Sequence, residues 1–134
     1  MSQFTLGIIK PDAFKKRVVG KILTRIENEG FAIAGMRLHR LTMEEAKAFY
    51  IVHKQRPFYG ELTEFMASGS CVLLLLERDD AIGLWRRIMG STDPAKAEPG
   101  TLRREFGFNI ERNALHGSDS AETAEWEIAF FFKK

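Results

Sequence analysis

The sequence predicts an α/β (α+β) fold of the ferredoxin-like type, a split βαβ arrangement with a four-stranded antiparallel sheet, added helices and one long active-site loop. Three observations support this prediction. Short apolar runs of strand length alternate along the chain with segments of helical periodicity. The run at residues 71–76 is continuously apolar, as in a strand that is covered on both faces. Residues 90–119 form an irregular segment of the kind that usually carries function in a compact domain.

The first part of the chain predicts a strand, a helix and a second strand. The apolar run at residues 4–9 stops at Pro11, since proline does not fit within a strand ladder. The next apolar residues recur at helical spacing, namely Val18, Val19, Ile22, Leu23 and Ile26. Gly30 supplies the end of this helix. Residues 31–38 alternate apolar with other side chains, and the alternation slips at Gly35 as it does at a β-bulge.

The remaining elements are three helices and two strands. Thr42 and Glu45 have the spacing of a capping box, which predicts a helix that ends before Pro57. A short helix carrying Leu62, Phe65 and Met66 follows, then the central strand at residues 71–76, and then a helix over residues 82–89. The run at residues 128–132 predicts a closing strand, because aromatic and branched residues are enriched in strands.

The composition is that of one globular domain, which we expect to span residues 1–134. The chain is 45% hydrophobic and 28% charged, which is enough apolar material for a core. Its 20 Lys and Arg nearly balance its 18 Asp and Glu, so no overall field favours nucleic acid or membrane. The single cysteine, Cys71, lies in an apolar run and is interpreted as a small buried hydrophobe in a reducing compartment. Without a leader-like or membrane-spanning segment, we expect a cytoplasmic protein.

The long segment concentrates side chains that bind phosphate. These are Thr92, Thr101, Arg103, Arg104 and Arg112, together with Arg86 and Arg87 from the end of the preceding helix. Guanidinium groups match phosphate oxygens in pairs and stay charged, so the group predicts a polyphosphate site. A solvated basic rim is the alternative. Adjacent arginines point in different directions on a helix, so we expect at most one functional residue in each adjacent pair.

A histidine near the end of this segment is the candidate nucleophile. His116 is followed by Gly117, which permits close backbone approach, and by the hydroxyl of Ser118. Beside several phosphate-binding arginines, an imidazole can attack phosphorus and then pass the phosphoryl group to a second acceptor. His39 and His53 have no such neighbours and are expected on a solvated strand face and at a helix end. The sequence has no Cys and His cluster at metal-ligand spacing, no P-loop and no GxGxxG turn.

Six motifs occur in order along residues 4–132. They are KPDA at 10–13, FY..HK.RPF at 49–58, FM.SG at 65–69, R.IMG.T.P at 86–94, PGT.R at 99–103 and N..HGSD at 113–119. Together they resemble the nucleoside diphosphate kinase family, and the last of them is the most specific. The resemblance implies transfer of the γ-phosphate of a nucleoside triphosphate, mainly ATP, to nucleoside diphosphates. The implied mechanism is ping-pong through a phosphohistidine, and it maintains NTP and dNTP pools.

The resemblance also implies roles for individual residues. His116 is the nucleophile. The substrate-binding residues are Phe58 for the base, Arg86, Thr92 and Arg103 for the phosphates, Lys10 for the ribose 3′-hydroxyl and the transferring phosphate, and Asn113 for the sugar. The supporting residues are Tyr50, Leu62 opposite Phe58, Ser118, and Glu127, which orients the histidine. For Tyr50 an ordinary core position, and for Glu127 an exposed strand position, are the competing interpretations.

Cofactor and partners follow from the same resemblance. The family requires Mg²⁺, which is commonly held through substrate phosphates and waters, so no metal ligand is expected from the protein. Recognition of the base by stacking implies broad specificity, since every base has a π-face. The expected partners are nucleoside di- and triphosphates and further copies of the chain in a homotetramer or homohexamer. A membrane is not expected, and nucleic acid is not expected as the primary partner.

Three residues depart from the family's pattern. Cys71 stands where proline is frequent, and Trp85 and Trp126 are unexpected at their positions. We expect these changes to affect strand geometry and oligomer contacts more than chemistry. Two other functions fit the sequence less well. A nucleotide-binding regulator without turnover would lack His116, and a nucleic-acid-binding module would expose aromatic and basic residues on its strands, which are mostly apolar here.

Overall fold

The computed structural model describes residues 2–132, which contain a four-stranded antiparallel sheet. The strands are β1 (Ser2–Ile9), β2 (Ala32–Arg40), β3 (Ser70–Asp79) and β4 (Leu115–Gly117), in the order β2-β3-β1-β4. All the pairings along this sheet are antiparallel. The predicted ferredoxin-like α/β fold is confirmed.

Seven helices surround the sheet. They are α1 (Pro11–Lys15), α2 (Val19–Asn28), α3 (Met43–Phe49), α4 (Tyr59–Met66), α5 (Ala81–Met89), α6 (Leu102–Phe106) and α7 (Ala121–Phe132). Single 3₁₀ turns lie at Ile51–His53 and Pro94–Lys96. None of the helices within residues 2–132 has the length and apolar character needed to span a lipid bilayer.

Helices cover both faces of the sheet, which explains the unbroken apolar run of β3. Val72, Leu74 and Leu76 pack into a cluster with residues of α2 and α5, whereas Cys71 and Leu73 pack into a second cluster with residues of α3 and α7. All five are buried. Because successive side chains of a strand point to opposite faces, a strand with two covered faces needs apolar residues throughout. The prediction of a central strand is confirmed.

Two local features that the sequence predicted, a capping box and a β-bulge, are present in the structure. The hydroxyl of Thr42 accepts a hydrogen bond from the Glu45 amide, and the Glu45 carboxylate accepts one from the Thr42 amide, each at 3.0 Å. This is the predicted capping box of α3. The β2–β3 register shifts between Ile33 and Gly35, which is the predicted bulge.

The predicted closing strand at residues 128–132 is wrong. These residues form the last turns of α7, which lies against β1 and β3. The helix begins with residues 121–127, in which alanine and glutamate are strong helix formers, and once nucleated it continues through the aromatic residues. The fourth strand is instead β4, a three-residue segment within the long loop that pairs with β1.

Candidate active site

One cavity of about 960 Å³ collects nearly all the residues that the sequence predicted for a nucleotide site. The predicted residues on its walls are Lys10, Tyr50, Phe58, Leu62, Arg86, Thr92, Arg103, Asn113, His116 and Glu127. They come from the end of β1, the segment from α3 to α4, α5, the long loop, β4 and α7. A cavity of this size suits a small-molecule ligand.

His116 lies on β4 and pairs with Ile8 of β1 at the edge of the sheet. Its Nε2 is 2.9 Å from Oε1 of Glu127, and both side chains are more than four-fifths buried. A carboxylate accepts hydrogen bonds, so this contact assigns the imidazole proton to Nε2. Nδ1 has no hydrogen-bond partner among the described residues and keeps its lone pair. One ring nitrogen is therefore anchored while the other is available to react.

Ser118 forms a hydrogen bond with the Glu127 carboxylate, which in turn contacts His116. It is fully buried and does not line the cavity. Its hydroxyl donates to Oε1 of Glu127 at 2.8 Å and accepts from the backbone amide of Leu6 at 3.2 Å. This chain of contacts connects β1, α7 and β4 behind the imidazole. Glu127 lies in a helix at this network, so the alternative of an exposed strand residue is wrong.

Two aromatic rings flank the imidazole. The Phe49 ring meets it edge-on with centroids 5.3 Å apart, and the Tyr50 ring does so at 6.1 Å. The Tyr50 hydroxyl is buried without a hydrogen-bond partner among the described residues. Burial, and then the nearby Glu127, raise the pKa of Tyr50 far above its usual range, so the phenol keeps its proton. Tyr50 therefore offers an unused donor next to the candidate nucleophile.

Lys10 and Asn113 form the floor of the cavity. The Lys10 ammonium donates to Oδ1 of Asn113 at 2.9 Å, and Nδ2 of Asn113 donates to the carbonyl of Thr92 at 3.0 Å. Burial and the neighbouring Arg103 lower the pKa of Lys10 to about 8, although Asp12 acts in the opposite direction. A buried ammonium without a carboxylate directly bonded to it is suited to meet an anionic ligand.

Arg103 is fixed in place by backbone carbonyls. Its guanidinium donates to Gly90 at 3.0 Å and to Leu115 at 2.8 Å. Its Nε is buried without a hydrogen-bond partner among the described residues. Burial and then Arg86 lower the pKa of Arg103 to about 10, so the group still carries its charge at neutral pH. This charge is preorganised in the wall of the cavity.

Arg86 lies at the mouth of the cavity and is paired with Asp119 at 2.5 Å. Both side chains are at least half exposed, so the pair is open to exchange with solvent ions. An incoming phosphate can take the place of the Asp119 carboxylate on the guanidinium. Asp119 was not singled out from the sequence, although it ends the N..HGSD motif.

The other phosphate-binding candidates have structural partners elsewhere. Arg87 is 3.5 Å from Asp80, Arg104 donates to the carbonyls of Ala95 and Ala97, and Arg112 lies over the ring of Phe65. Thr101 caps the N-terminus of α6. Within each adjacent arginine pair, only the first residue lines the cavity, as the directions of side chains on a helix require.

Part of the cavity wall is apolar and suits a base. Phe58 is 42% exposed, and Leu62 lies on the same wall. The His53 ring is 5.4 Å from that of Phe58 and also lines the cavity. His53 was expected only at a helix end, and the RPF motif nearby was the signal that it belonged to the site. His39 contacts Glu45 at 3.2 Å and lies outside the cavity.

Both tryptophans lie at the site, which corrects the expectation that they affect outer surfaces. The Trp85 indole is fully buried and donates to the backbone carbonyl of His116 at 3.2 Å. Trp126 is 47% exposed and lines the cavity beside Phe49, with ring centroids 5.9 Å apart. Cys71 is fully buried, and burial raises the pKa of its thiol to about 12, which agrees with its interpretation as a core residue.

Within residues 2–132, no three His, Cys, Asp or Glu side chains are grouped so as to hold a metal ion. The cavity instead offers cations and neutral donors, namely Lys10, Arg86, Thr92 and Arg103. This set suits an anionic ligand that brings its own metal, because Mg²⁺ is commonly bound through phosphate oxygens and waters.

Comparison with known proteins agrees with this geometry. A family model described as nucleoside diphosphate kinase matches residues 3–134. A nucleoside diphosphate kinase of Geobacter sulfurreducens is 50% identical over 130 residues, covering 97% of this chain and 95% of the relative. One from Desulfotalea psychrophila is 52% identical over 128 residues, covering 96% and 93%.

Solved structures agree equally well. A nucleoside diphosphate kinase of Aquifex aeolicus superposes with a TM-score of 0.96 at 47% identity, covering 98% of this chain and 96% of that one. A halophilic nucleoside diphosphate kinase from Halobacterium salinarum, solved in complex with CDP, superposes with a TM-score of 0.96 at 34% identity, covering 100% and 90%. The chain therefore belongs to the nucleoside diphosphate kinase family, and it is a kinase that acts on nucleotides.

Proposed function

We propose that the chain transfers the γ-phosphate of a nucleoside triphosphate, mainly ATP, to nucleoside diphosphates through a phosphohistidine at His116, and so maintains NTP and dNTP pools. The observation that supports the proposal most directly is the hydrogen bonding of the two ring nitrogens of His116. Its Nε2 is bound to Glu127 at 2.9 Å, and its Nδ1 has no partner among the described residues and belongs to a cavity lined by Lys10, Arg86 and Arg103.

In the first half-reaction, the Nδ1 lone pair forms a bond to the γ-phosphorus while the bond from that phosphorus to the β,γ-bridging oxygen breaks. The diphosphate leaves with the electron pair of the broken bond. The ring becomes positively charged, and the Glu127 carboxylate at Nε2 stabilises that charge. In the second half-reaction, a diphosphate oxygen attacks the same phosphorus and the P–Nδ1 bond breaks, which regenerates neutral His116.

Charge stabilisation during transfer comes from the cationic end of the cavity. Arg103 is held by two carbonyls and needs little reorganisation to meet a phosphate oxygen. Lys10 is directed to the ribose 3′-hydroxyl and the transferring group, and Arg86 exchanges Asp119 for phosphate. Thr92 adds a hydroxyl donor, and Asn113, which already positions Lys10 at 2.9 Å, binds the sugar.

The base is held by stacking. Phe58 and Leu62 contribute apolar surface to the wall of the cavity. Because no base edge needs to be read, purine and pyrimidine nucleotides are both accepted. A relative from Halobacterium salinarum was solved with the pyrimidine nucleotide CDP, which supports this breadth.

Enzymes of this family use a divalent metal, and we propose that it is Mg²⁺ entering with the nucleotide. When bound, Mg²⁺ neutralises charge on the phosphate oxygens. The absence of a carboxylate cage within residues 2–132 fits a metal held by substrate and water rather than by protein ligands.

We propose that copies of the chain assemble as a homotetramer or homohexamer. The support lies at β2, an edge strand of nine residues. Met36 and Leu38 on this strand are 54% and 68% exposed. A long edge with exposed apolar side chains is a template for pairing with another chain. We further propose that residues 1–134 are one domain, located in the cytoplasm, whose partners are nucleotides rather than membrane or nucleic acid.

The proposal is tested with γ-labelled ATP. The protein is incubated with Mg²⁺ and label, freed of nucleotide, and assayed for an acid-labile, base-stable protein phosphate that appears as GTP when GDP is added. His116→Ala is expected to take up no label, and His39→Ala serves as the histidine control, because His39 lies outside the cavity. Binding of nucleotide without any labelling of the wild-type protein would instead indicate a regulator that does not turn over.

A further inference from the structure

Asp12 follows Lys10 in the KPDA motif, yet none of the roles described above involves it. It occupies the first turn of α1. Its Oδ2 accepts a hydrogen bond of 3.0 Å from the backbone amide of Ala114, which is 102 residues away in sequence. Its other oxygen, Oδ1, is buried with no hydrogen-bond partner among the described residues. The carboxylate therefore makes a single side-chain hydrogen bond among the described residues, and the partner in that bond, Ala114, lies two residues before His116.

Ala114 has an unusual backbone conformation. Its φ is +77°, in the left-handed region that favours glycine. The Leu115 amide donates to the Asn113 carbonyl at 2.9 Å, which closes a γ-turn around Ala114. A γ-turn with positive φ is rare and strained, so it persists only when its surroundings hold it.

The segment after β1 supplies two such contacts. The Lys10 amide donates to the Ala114 carbonyl at 2.8 Å, and Asp12 accepts from the Ala114 amide. Ala114 itself is fully buried, so its amide would have no solvent to bond if Asp12 were removed. Both polar groups of this strained residue are thus bound by one short stretch of chain.

The turn determines how two functional side chains face each other. Asn113, just before it, holds the Lys10 ammonium and the Thr92 carbonyl. His116, just after it, lies on a strand of only three residues. A return of Ala114 to negative φ would rotate the peptide planes between Asn113 and His116. Displacement of a reacting group by about 1 Å is enough to slow a reaction by about 100-fold.

We propose that Asp12 is a positioning residue, which holds Ala114 in its left-handed turn and thereby fixes His116 against Asn113 and Lys10. This inference rests on the proposed phosphotransfer by His116. The competing interpretation is that Asp12 serves only its own helix, as an acidic residue in the first turn of α1. The two interpretations differ in whether a change at residue 114 compensates for loss of the carboxylate.

The experiment uses four variants of the full chain, namely Asp12→Ala, Asp12→Asn, Ala114→Gly and the double variant Asp12→Ala/Ala114→Gly. The rate of phosphohistidine formation is measured in a single turnover with labelled ATP, together with kcat, KM and the thermal midpoint. Glu44→Ala is the matched control, because Glu44 is an exposed acidic residue in the first turn of α3.

Asp12→Ala is expected to slow phosphohistidine formation at least tenfold. Asp12→Asn keeps an acceptor oxygen and should stay within about threefold of the wild-type rate. Glycine adopts positive φ without strain, so the double variant should also recover to within about threefold of the wild-type rate. Glu44→Ala should leave the rate unchanged, and Ala114→Gly alone supplies the reference rate for the double variant.

Two results would overturn the proposal. One is an Asp12→Ala protein with the wild-type rate. The other is a double variant that is as slow, or as poorly folded, as Asp12→Ala, since the rescue test applies whether the single variant folds or not. Failure of the wild-type protein to form any phosphohistidine would refute the proposed function instead.

Discussion

The imidazole of His116 is held at one nitrogen by a carboxylate that is itself held by a serine. Nε2 and the Ser118 hydroxyl both contact Oε1 of Glu127. The carboxylate orients the ring, and in the proposed reaction it stabilises the charge that develops on that ring. It does so from the protein interior, where a charged hydrogen bond is strong.

Glu127→Gln tests this support. A hydrogen bond to a charged group contributes about 1.5–3 kcal/mol. Since about 1.4 kcal/mol is tenfold in rate, phosphohistidine formation should slow by about 10- to 100-fold. Rapid-quench measurement of the first turnover checks this. Glu122→Gln, which lies in the same helix and lines the cavity, should change the rate little, and equal losses in both variants would contradict the assigned role.

Lys10 should make activity and stability respond to pH in opposite directions. Its pKa in the native state is about 8, against 10.5 for the free side chain. The free enzyme therefore loses a cation from the phosphate site above pH 8, and kcat/KM should fall there. Between pH 8 and 10.5 the unfolded chain binds more protons than the native one, so this group's contribution to the free energy of unfolding rises with pH.

Both halves of this prediction are measurable. A profile of kcat/KM from pH 6.5 to 10 should decline with an apparent pKa near 8. The Lys10→Met variant, which has no titrating group at this position, should lose that decline along with most of its activity. A wild-type profile that stays level to pH 10 would show that Lys10 keeps its proton or that its charge is not needed.

Motif residues were predicted well because their chemistry is local to their side chains. Arg86 and His116 were predicted from residue type and spacing and Phe58 from the family resemblance, and all three line the cavity. The residues that contact and support the site residues were harder to predict. Trp85 reaches the His116 carbonyl, and Asp12 reaches Ala114, through contacts between segments far apart in the chain. No periodicity or composition encodes such contacts.

At the scale of elements, the turn after α5 depends on a glycine. Gly90 has φ +87°, and a Cβ built there would lie 2.6 Å from the Thr101 hydroxyl oxygen. Its carbonyl also accepts one of the hydrogen bonds that fix Arg103. The geometry of this turn therefore supports the phosphate site directly.

Gly90→Ala should destabilise the protein by about 1–3 kcal/mol, because alanine is strained at positive φ and meets a close neighbour. Gly60→Ala is the matched comparison, since no atom lies within 4 Å of a Cβ there and Gly60 is in α4. That change should stabilise by about 0.5–1 kcal/mol. Urea denaturation measures both, and a neutral Gly90→Ala would show that the turn is relaxed.

There is also a physical reason why residues 128–132, which were predicted as a closing strand, belong to the helix α7. Residues 128–132 look like a strand by composition alone, but their state is decided by the helix formers before them and by packing against β1 and β3. The true fourth strand, β4, is three residues long and contains histidine and glycine. Its existence depends on pairing with β1, so a local pattern could not reveal it.

At the scale of the whole molecule, the sheet has two unlike edges. β4 is short and carries His116, the proposed nucleophile, whereas β2 is long and exposes Met36 and Leu38. The catalytic edge and the candidate assembly edge therefore lie on opposite sides of the domain. Changes to one should leave the chemistry of the other intact.

Leu38→Lys tests the assembly edge. A buried lysine at a chain–chain contact is unfavourable, so the variant should sediment as a smaller species than the wild-type protein does. Thr24→Lys, at an exposed position of α2, should leave the sedimentation coefficient unchanged. If Leu38→Lys sediments like the wild type, β2 is not the contact. The labelling of His116 in both variants reports whether the site survives.

The single free nitrogen of His116 has a consequence for the cell's energy balance. Donor and acceptor must visit the same cavity in turn, and the same side chains meet both. No catalyst changes the position of an equilibrium, so the direction of net transfer is set by the nucleotide concentrations alone. A catalyst of this kind brings every nucleotide pair toward the same ratio of tri- to diphosphate. Guanine, cytosine and uracil nucleotides then share the phosphorylation potential that metabolism imposes on adenine nucleotides.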